Sequence, residues 1–154
     1  MEKMKRVILV TGMSGAGKST ATRVFEDMGY HVIDNYPVQL VSLLVDMIET
    51  STDPRYSYIA LSTSAQDFPE FLRGLKGQNI SVSVMFLDAA DSVLLHRYKS
   101  TRRTHPLLLS NTCNTLDEAI AVERQMFRKH VNNSFYTIDT SFMSEKEFKK
   151  KIEA

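Results

Sequence analysis

A chain of 154 residues, 43% hydrophobic and 24% charged, has the composition of one soluble globular domain with a continuous core, and is too short for two. A formal charge of +1 gives no global attraction to nucleic acid or membrane, so any basic site must be local. The single cysteine, Cys113, excludes an intramolecular disulfide, and the short apolar run behind the N-terminus is neither a signal peptide nor a membrane span, which makes the cytoplasm the default location.

Apolar, β-branched runs predict strands over residues 5–11, 30–34, 56–62, 80–87 and 135–139. Segments of helical period separate them, which predicts a three-layer α/β fold, a five-stranded parallel sheet flanked by helices. The first strand runs into the phosphate-loop pattern G-x-x-x-x-G-K-[S/T] at residues 12–19. A helix over 18–28 then stops at Gly29, which suits the left-handed position after a helix. The second helix begins near Pro37, with an expected apolar stripe of Leu40, Leu43, Leu44 and Met47. Phe68, Phe71, Leu72 and Leu75 mark a short third helix, and Asp91 is expected to cap a fourth that runs to about Arg102. An irregular, long connection covers about 103–114. Thr115 and Glu118 form a capping box that opens a fifth helix with the stripe Leu116, Ile120, Phe127 and Val131. Ser144 and Glu147 form another, opening a last helix with Phe148 and Ile152 inward.

The phosphate loop carries the functional reading. A polyphosphate must be neutralised without crowding, and Gly12, Gly15 and Gly17 let backbone N–H groups close onto its oxygens. Lys18 would reach the β- and γ-phosphates and the Ser19 hydroxyl would hold a Mg²⁺ bridging them. The helix that starts there adds its open N–H groups and positive dipole end. The candidate nucleotide-binding residues are thus Gly12, Met13, Ser14, Gly15, Ala16, Gly17, Lys18, Ser19 and Thr20.

In an open parallel sheet ligands sit outside the carboxyl ends of the strands, so the polar residues there are the next candidates. Asp34 ends the second strand. It could order Mg²⁺ or accept a proton from water or a phosphoryl acceptor, or it could be a turn carboxylate before Pro37. The third strand, where many phosphate-loop enzymes hold an acidic residue for the Mg²⁺ shell, ends in Ser62, Thr63 and Ser64. Asp88 ends the fourth and reads mainly as a helix-entry cap. Arg97, Lys99, Arg102, Arg103 and His105 fall within nine positions and form a local cationic patch. It is read as a lid over about 97–114 with Arg97, Arg102 and Arg103 as candidate catalytic arginines beside Lys18 and Asp34; a solvated helix end or an RNA-contacting patch would use the same residues. Asp139, Thr140 and Ser141 follow the last strand, where a purine edge is expected, although an ordinary turn explains them as well. His31, His96 and His130 have no companions at metal spacing.

Taken together, the phosphate loop, the stretch from Phe25 to Tyr30 followed by Asp34-Asn35-Tyr36-Pro37, the string Thr101-Arg-Arg-Thr-His-Pro-Leu107, Glu118-Ala-Ile120 and Ile138-Asp-Thr-Ser141 resemble the N-terminal domain of the RapZ/YvcJ nucleotide-binding family over essentially the whole chain. The resemblance implies a kinase-like P-loop fold in the bacterial cytoplasm, binding ATP or GTP with Mg²⁺ and hydrolysing it slowly as a regulator. In relatives, a C-terminal domain, expected to be absent here, binds small RNAs and a sugar-phosphate. One departure stands in the third strand, where the family usually has Asp-x-Arg and this chain has Ser62-Thr63-Ser64.

Three functions therefore compete: a weakly hydrolysing NTP-binding regulator, using Ser19 and Asp34 as metal ligands; a small-molecule kinase; and a nucleotide-switched RNA adapter. The stretch 37–53 lacks the Arg and Lys that an anionic phosphoryl acceptor would need, which counts against the kinase.

Overall fold

Strand β1 (Lys5–Gly12) buries Val7, Leu9 and Val10 together, on both faces, as a strand inside a parallel sheet must. The computed structural model describes residues 5–75, 79–101, 104–128 and 136–153. Within them β1 is followed by α1 (Lys18–Asp27), β2 (His31–Ile33), α2 (Val41–Thr50), β3 (Tyr58–Ser62) and α3 (Phe68–Gly74). Then come β4 (Ile80–Asp88), α4 (Asp91–Lys99), α5 (Pro106–Leu109), α6 (Leu116–Arg128), β5 (Tyr136–Asp139) and α7 (Glu145–Glu153).

The sheet is five-stranded in the order β2-β3-β1-β4-β5, and every pairing is parallel. After β1 the chain moves two places toward one edge, and after β2 it travels steadily the other way. Right-handed crossovers then put α1 on one face and the later connections on the opposite face. The packing agrees: α1 meets α7, whereas Phe68 of α3 and Phe127 of α6 lie 6.0 Å apart ring to ring. Because the chain leaves β1 and its neighbour β3 toward opposite faces, a crevice opens at their carboxyl ends.

Local signals worked where the chemistry was local. Gly29 has φ 97° directly after the Met28 cap of α1. The Thr115 hydroxyl accepts from Glu118 N at 3.2 Å, and the Ser144 hydroxyl accepts from Glu147 N at 3.2 Å. The stripe expected on α2 is displaced. Leu44, Val45 and Ile48 are buried there, while Leu40, Leu43 and Met47 are 43%, 55% and 45% exposed. Six of the ten residues of this helix are apolar, spread over more than one face, so period alone does not choose the inward arc. Asp91 is the first residue of α4 instead of its cap, because Arg124 takes its carboxylate. That helix stops at Lys99, and the connection expected to be irregular contains the helical turn α5, begun at Pro106. Arg102, Arg103, His130, Val131 and Phe135 lie outside the described residues.

Gly12, where β1 gives way to the loop, admits no side chain. Its φ is 147°, and a Cβ there would stand 2.2 Å from the Leu87 carbonyl oxygen of β4. Gly12→Ala is therefore expected to destabilise the fold by about 3 kcal/mol and lower Tm by about 6–12 °C in a thermal melt. An unchanged Tm would mean that β1 and β4 separate here at no cost.

Candidate functional site

The phosphate loop is fastened from below by its own apolar residues and from the sides by three distant segments. Met13 and Ala16 are fully buried, and Met13 N donates to Leu87 O at 3.0 Å. Gly17 caps α1 in a left-handed conformation, φ 117°, with no side chain closing the helix end, so the first-turn N–H groups stay available to an anion. A Cβ on Gly17 would meet the Phe148 ring of α7 at 2.8 Å.

The first brace is Glu123 of α6. This carboxylate is 3% exposed and accepts from Ser14 N at 2.8 Å and from the Ser14 hydroxyl at 2.5 Å. His105, fully buried, faces it at 3.3 Å through Nε2. The His105 Nδ1 accepts from Leu107 N at 3.1 Å, which leaves the ring proton on Nε2, pointed at Glu123. Burial disfavours the Glu123 charge, yet hydrogen bonds from His105 and Ser14 hold the carboxyl below the usual range. Arg97 is the second brace, donating to Gly15 O at 3.0 Å and to Thr140 O at 2.7 Å. Thr140 is the third, its buried hydroxyl donating to Ala16 O at 2.7 Å.

Lys18 and Ser19 face two cavities. The larger, about 590 Å³, lies beside Gly15, Gly17, Thr20, Arg97, Tyr98 and Thr101. The smaller, about 380 Å³, lies in the crevice beside Asp34, Asn35, Ser62, Thr63, Ser64 and Asp67. Burial pushes the Lys18 ammonium below its ordinary pKa, and the Glu123 charge works in the opposite direction.

Asp34 enters this crevice from the next strand over. β2 pairs with β3 in the register Ile33 to Leu61, so the residues after each pair meet, and the Ser62 hydroxyl donates to the Asp34 carboxylate. Ser62 itself lies opposite Val10 of β1. β3 ends without a carboxylate, and the one that stands at this point of the crevice reaches across from β2, with Ser62 as its hydrogen-bond partner.

The other expected site residues divide. Arg97 lies at the loop but is tied to Gly15 and Thr140, which makes it a brace in this arrangement and not a swinging side chain. His105, counted with the basic patch, is buried against Glu123. The Thr140 hydroxyl is turned under the loop; Asp139 accepts from Ser141 N at 2.9 Å and Ser141 from Ala90 N at 2.8 Å, so the turn explanation describes their bonds. Asp88 accepts from Ala89 N and pairs with Arg124 at 3.0 Å. Cys113 is buried. Sequence reading overlooked Glu123 and Arg124. A signal existed for the first: Glu123 stands three residues after Ile120 and four before Phe127, on the apolar face of its own helix.

A sequence model described as the RapZ-like N-terminal domain matches residues 5–154. The chain belongs to the RapZ-like N-terminal domain family. This RapZ-like domain is 40% identical to a nucleotide-binding protein of Agathobacter rectalis over 154 residues, 96% of the chain and 52% of that protein. It is 43% identical to a nucleotide-binding protein of Vibrio vulnificus over 129 residues, 80% of the chain and 44% of that protein. The chain spans about half the length of the curated relatives it matches. Its fold is that of P-loop kinases. A thymidylate kinase from Candida albicans superimposes with a TM-score of 0.63 at 11% identity, covering 99% of this chain and 91% of that one. A gluconokinase from Sinorhizobium meliloti does so at 0.58 and 16%, covering 98% and 91%. Among the described residues no helix is long and apolar enough to cross a membrane.

Proposed function

We propose that this RapZ-like domain binds ATP or GTP with Mg²⁺ and hydrolyses it slowly, serving regulation in the cytoplasm. One observation carries the reading: Lys18, Ser19 and Asp34 open onto a single cavity at the crevice while the loop between them is braced from three sides. The relatives' name, nucleotide-binding protein, supports the same reading.

The triphosphate would lie along the loop, with its nucleoside in the larger cavity, where Arg97 and Tyr98 offer a planar guanidinium and an aromatic ring. The segment 97–114 would cover it as a lid. No cluster of three or more His, Cys, Asp or Glu that could hold a metal occurs among the described residues. Mg²⁺ is usually held by one or two carboxylates together with phosphate oxygens. Ser19 and Asp34 would supply the protein ligands, and the ion would neutralise charge on the phosphate oxygens. Where Asp34 acts on water instead of on the ion, its second oxygen would orient that water and accept its proton, while Ser62 holds the first.

Asp34→Asn is expected to slow phosphate release about 100-fold with Kd for ATP changed less than threefold, measured by steady-state turnover and calorimetry. Equal turnover in the variant would return Asp34 to the role of a turn residue.

A further inference from the structure

The smaller cavity holds more room than hydrolysis needs. An octahedral Mg²⁺ held by Ser19, Asp34 and two phosphate oxygens keeps two waters, and with the attacking water these occupy about 90 Å³ at about 30 Å³ each. That leaves well over half of the 380 Å³ unassigned. We propose that this remainder is an acceptor pocket for an uncharged or amino-bearing polyhydroxylated small molecule, to which the γ-phosphoryl group is transferred. The inference rests on the nucleotide reading above, and it names what stands on the far side of the phosphate.

The lining selects the chemistry. Asp34 and Asp67 bring two carboxylates, and Ser62, Thr63 and Ser64 bring three hydroxyls to one wall. Carboxylates accept hydroxyl and ammonium donors, so the wall matches a molecule that is mostly donors. Asp67 is notable because it precedes α3 at the cap position and yet does not cap the helix. The three hydroxyls take fold bonds, Ser62 donating to Asp34, Thr63 donating to Ser64 O at 3.4 Å and Ser64 accepting from Asp67 N at 3.3 Å, so Ser62 and Thr63 meet a ligand as acceptors. Among the described lining residues Lys18 is the one cation, and the nucleotide phosphates claim it. Among the described lining residues an anionic acceptor would meet two carboxylates and no cation beyond Lys18, which disfavours it. Phe71 and Pro106 complete the cavity with apolar surface for the C–H face of such a molecule.

The transfer balances without a further reactant. An acceptor hydroxyl gives its proton to the Asp34 carboxylate as its oxygen forms a bond to the γ-phosphorus. The bond from that phosphorus to the β–γ bridging oxygen breaks, and the nucleoside diphosphate leaves with the electron pair.

The test is transfer from γ-labelled ATP and GTP with Mg²⁺, in separate reactions with glycerol, glucose, inositol, glucosamine and glycerol 3-phosphate, alongside calorimetry of nucleotide binding on the same preparation. Labelled phosphate ester is expected on at least one of the first four, at ten times the rate of inorganic phosphate release or more, and none on glycerol 3-phosphate. Asp67→Asn should raise KM for that acceptor about tenfold with kcat retained. Inorganic phosphate as the sole labelled product in all reactions, with nucleotide still bound, overturns the acceptor pocket and leaves the nucleotide reading standing. Ester formed on glycerol 3-phosphate overturns the acceptor class. Absence of nucleotide binding overturns both.

Discussion

Replacing Lys18 with alanine is expected to raise Kd for ATP and for GTP by at least 100-fold in calorimetry. The residue is the point charge facing the β- and γ-phosphates, and truncating one partner of a buried, hydrogen-bonded charge pair costs about 3–5 kcal/mol, or two to three and a half decades. The helix end and the loop N–H groups remain in the variant, so residual weak binding is consistent with the same picture. Unchanged affinity would remove the nucleotide reading altogether. The wild-type protein carries a second signature of this lysine. Burial lowers its pKa, so the ammonium is lost below the pH at which an ordinary lysine titrates. Affinity should therefore fall as pH rises through that lowered value, approaching tenfold per pH unit beyond it.

Glu123 is expected to give the largest loss of stability of any site side chain. Glu123→Ala leaves Ser14 N–H and His105 Nε2–H facing an apolar cavity, both of them buried, and should cost about 4 kcal/mol. For a chain of this size that is about 10 °C in Tm. Glu123→Gln separates charge from shape. Its amide oxygen can accept from Ser14 N–H and from His105, and its amide nitrogen can donate to the Ser14 hydroxyl, so Tm should fall by less than about 4 °C. The same variant removes the charge that sustains the Lys18 ammonium, and the alkaline loss of nucleotide affinity should move to lower pH. The acid side gives an independent check. The folded pKa of Glu123 lies below the unfolded one, so its contribution is complete above the ordinary glutamate range and is lost as pH falls through the folded value. A Glu123→Gln protein with wild-type melting at every pH and an unshifted alkaline limb would show that the carboxylate braces nothing.

Features fixed by backbone groups a few positions apart are legible in the sequence. The loop at residues 12–19, the turn at Gly29 and the boxes at Thr115 and Ser144 all depend on backbone groups within a few positions of one another, so type and spacing specify them. Asp34 was legible for a similar reason, since a polar residue ending a parallel strand must lie at the ligand edge. Its partner was not, because Ser62 reaches it only through the β2 to β3 register. The basic run 97–105 shows the limit most clearly. Five basic residues close in sequence read as one lid over the nucleotide, yet Arg97 turns to the loop carbonyl of Gly15 and His105 turns inward to Glu123. Direction on a helix or after it is set by what packs against that side, and no local pattern records it.

The sequence by itself determined that a phosphate loop stands between a buried strand and a helix, that the sheet is parallel, and that Lys18, Ser19 and Asp34 gather at its carboxyl edge. Only the tertiary structure decided which residues hold that loop still. Glu123, Arg97 and Thr140 arrive from 109, 82 and 124 positions away, and their roles come from hydrogen bonds whose distances the chain's closure sets. A buried carboxylate beside a lysine is costly unless every donor around it is in place, and that completeness is a property of the packed molecule.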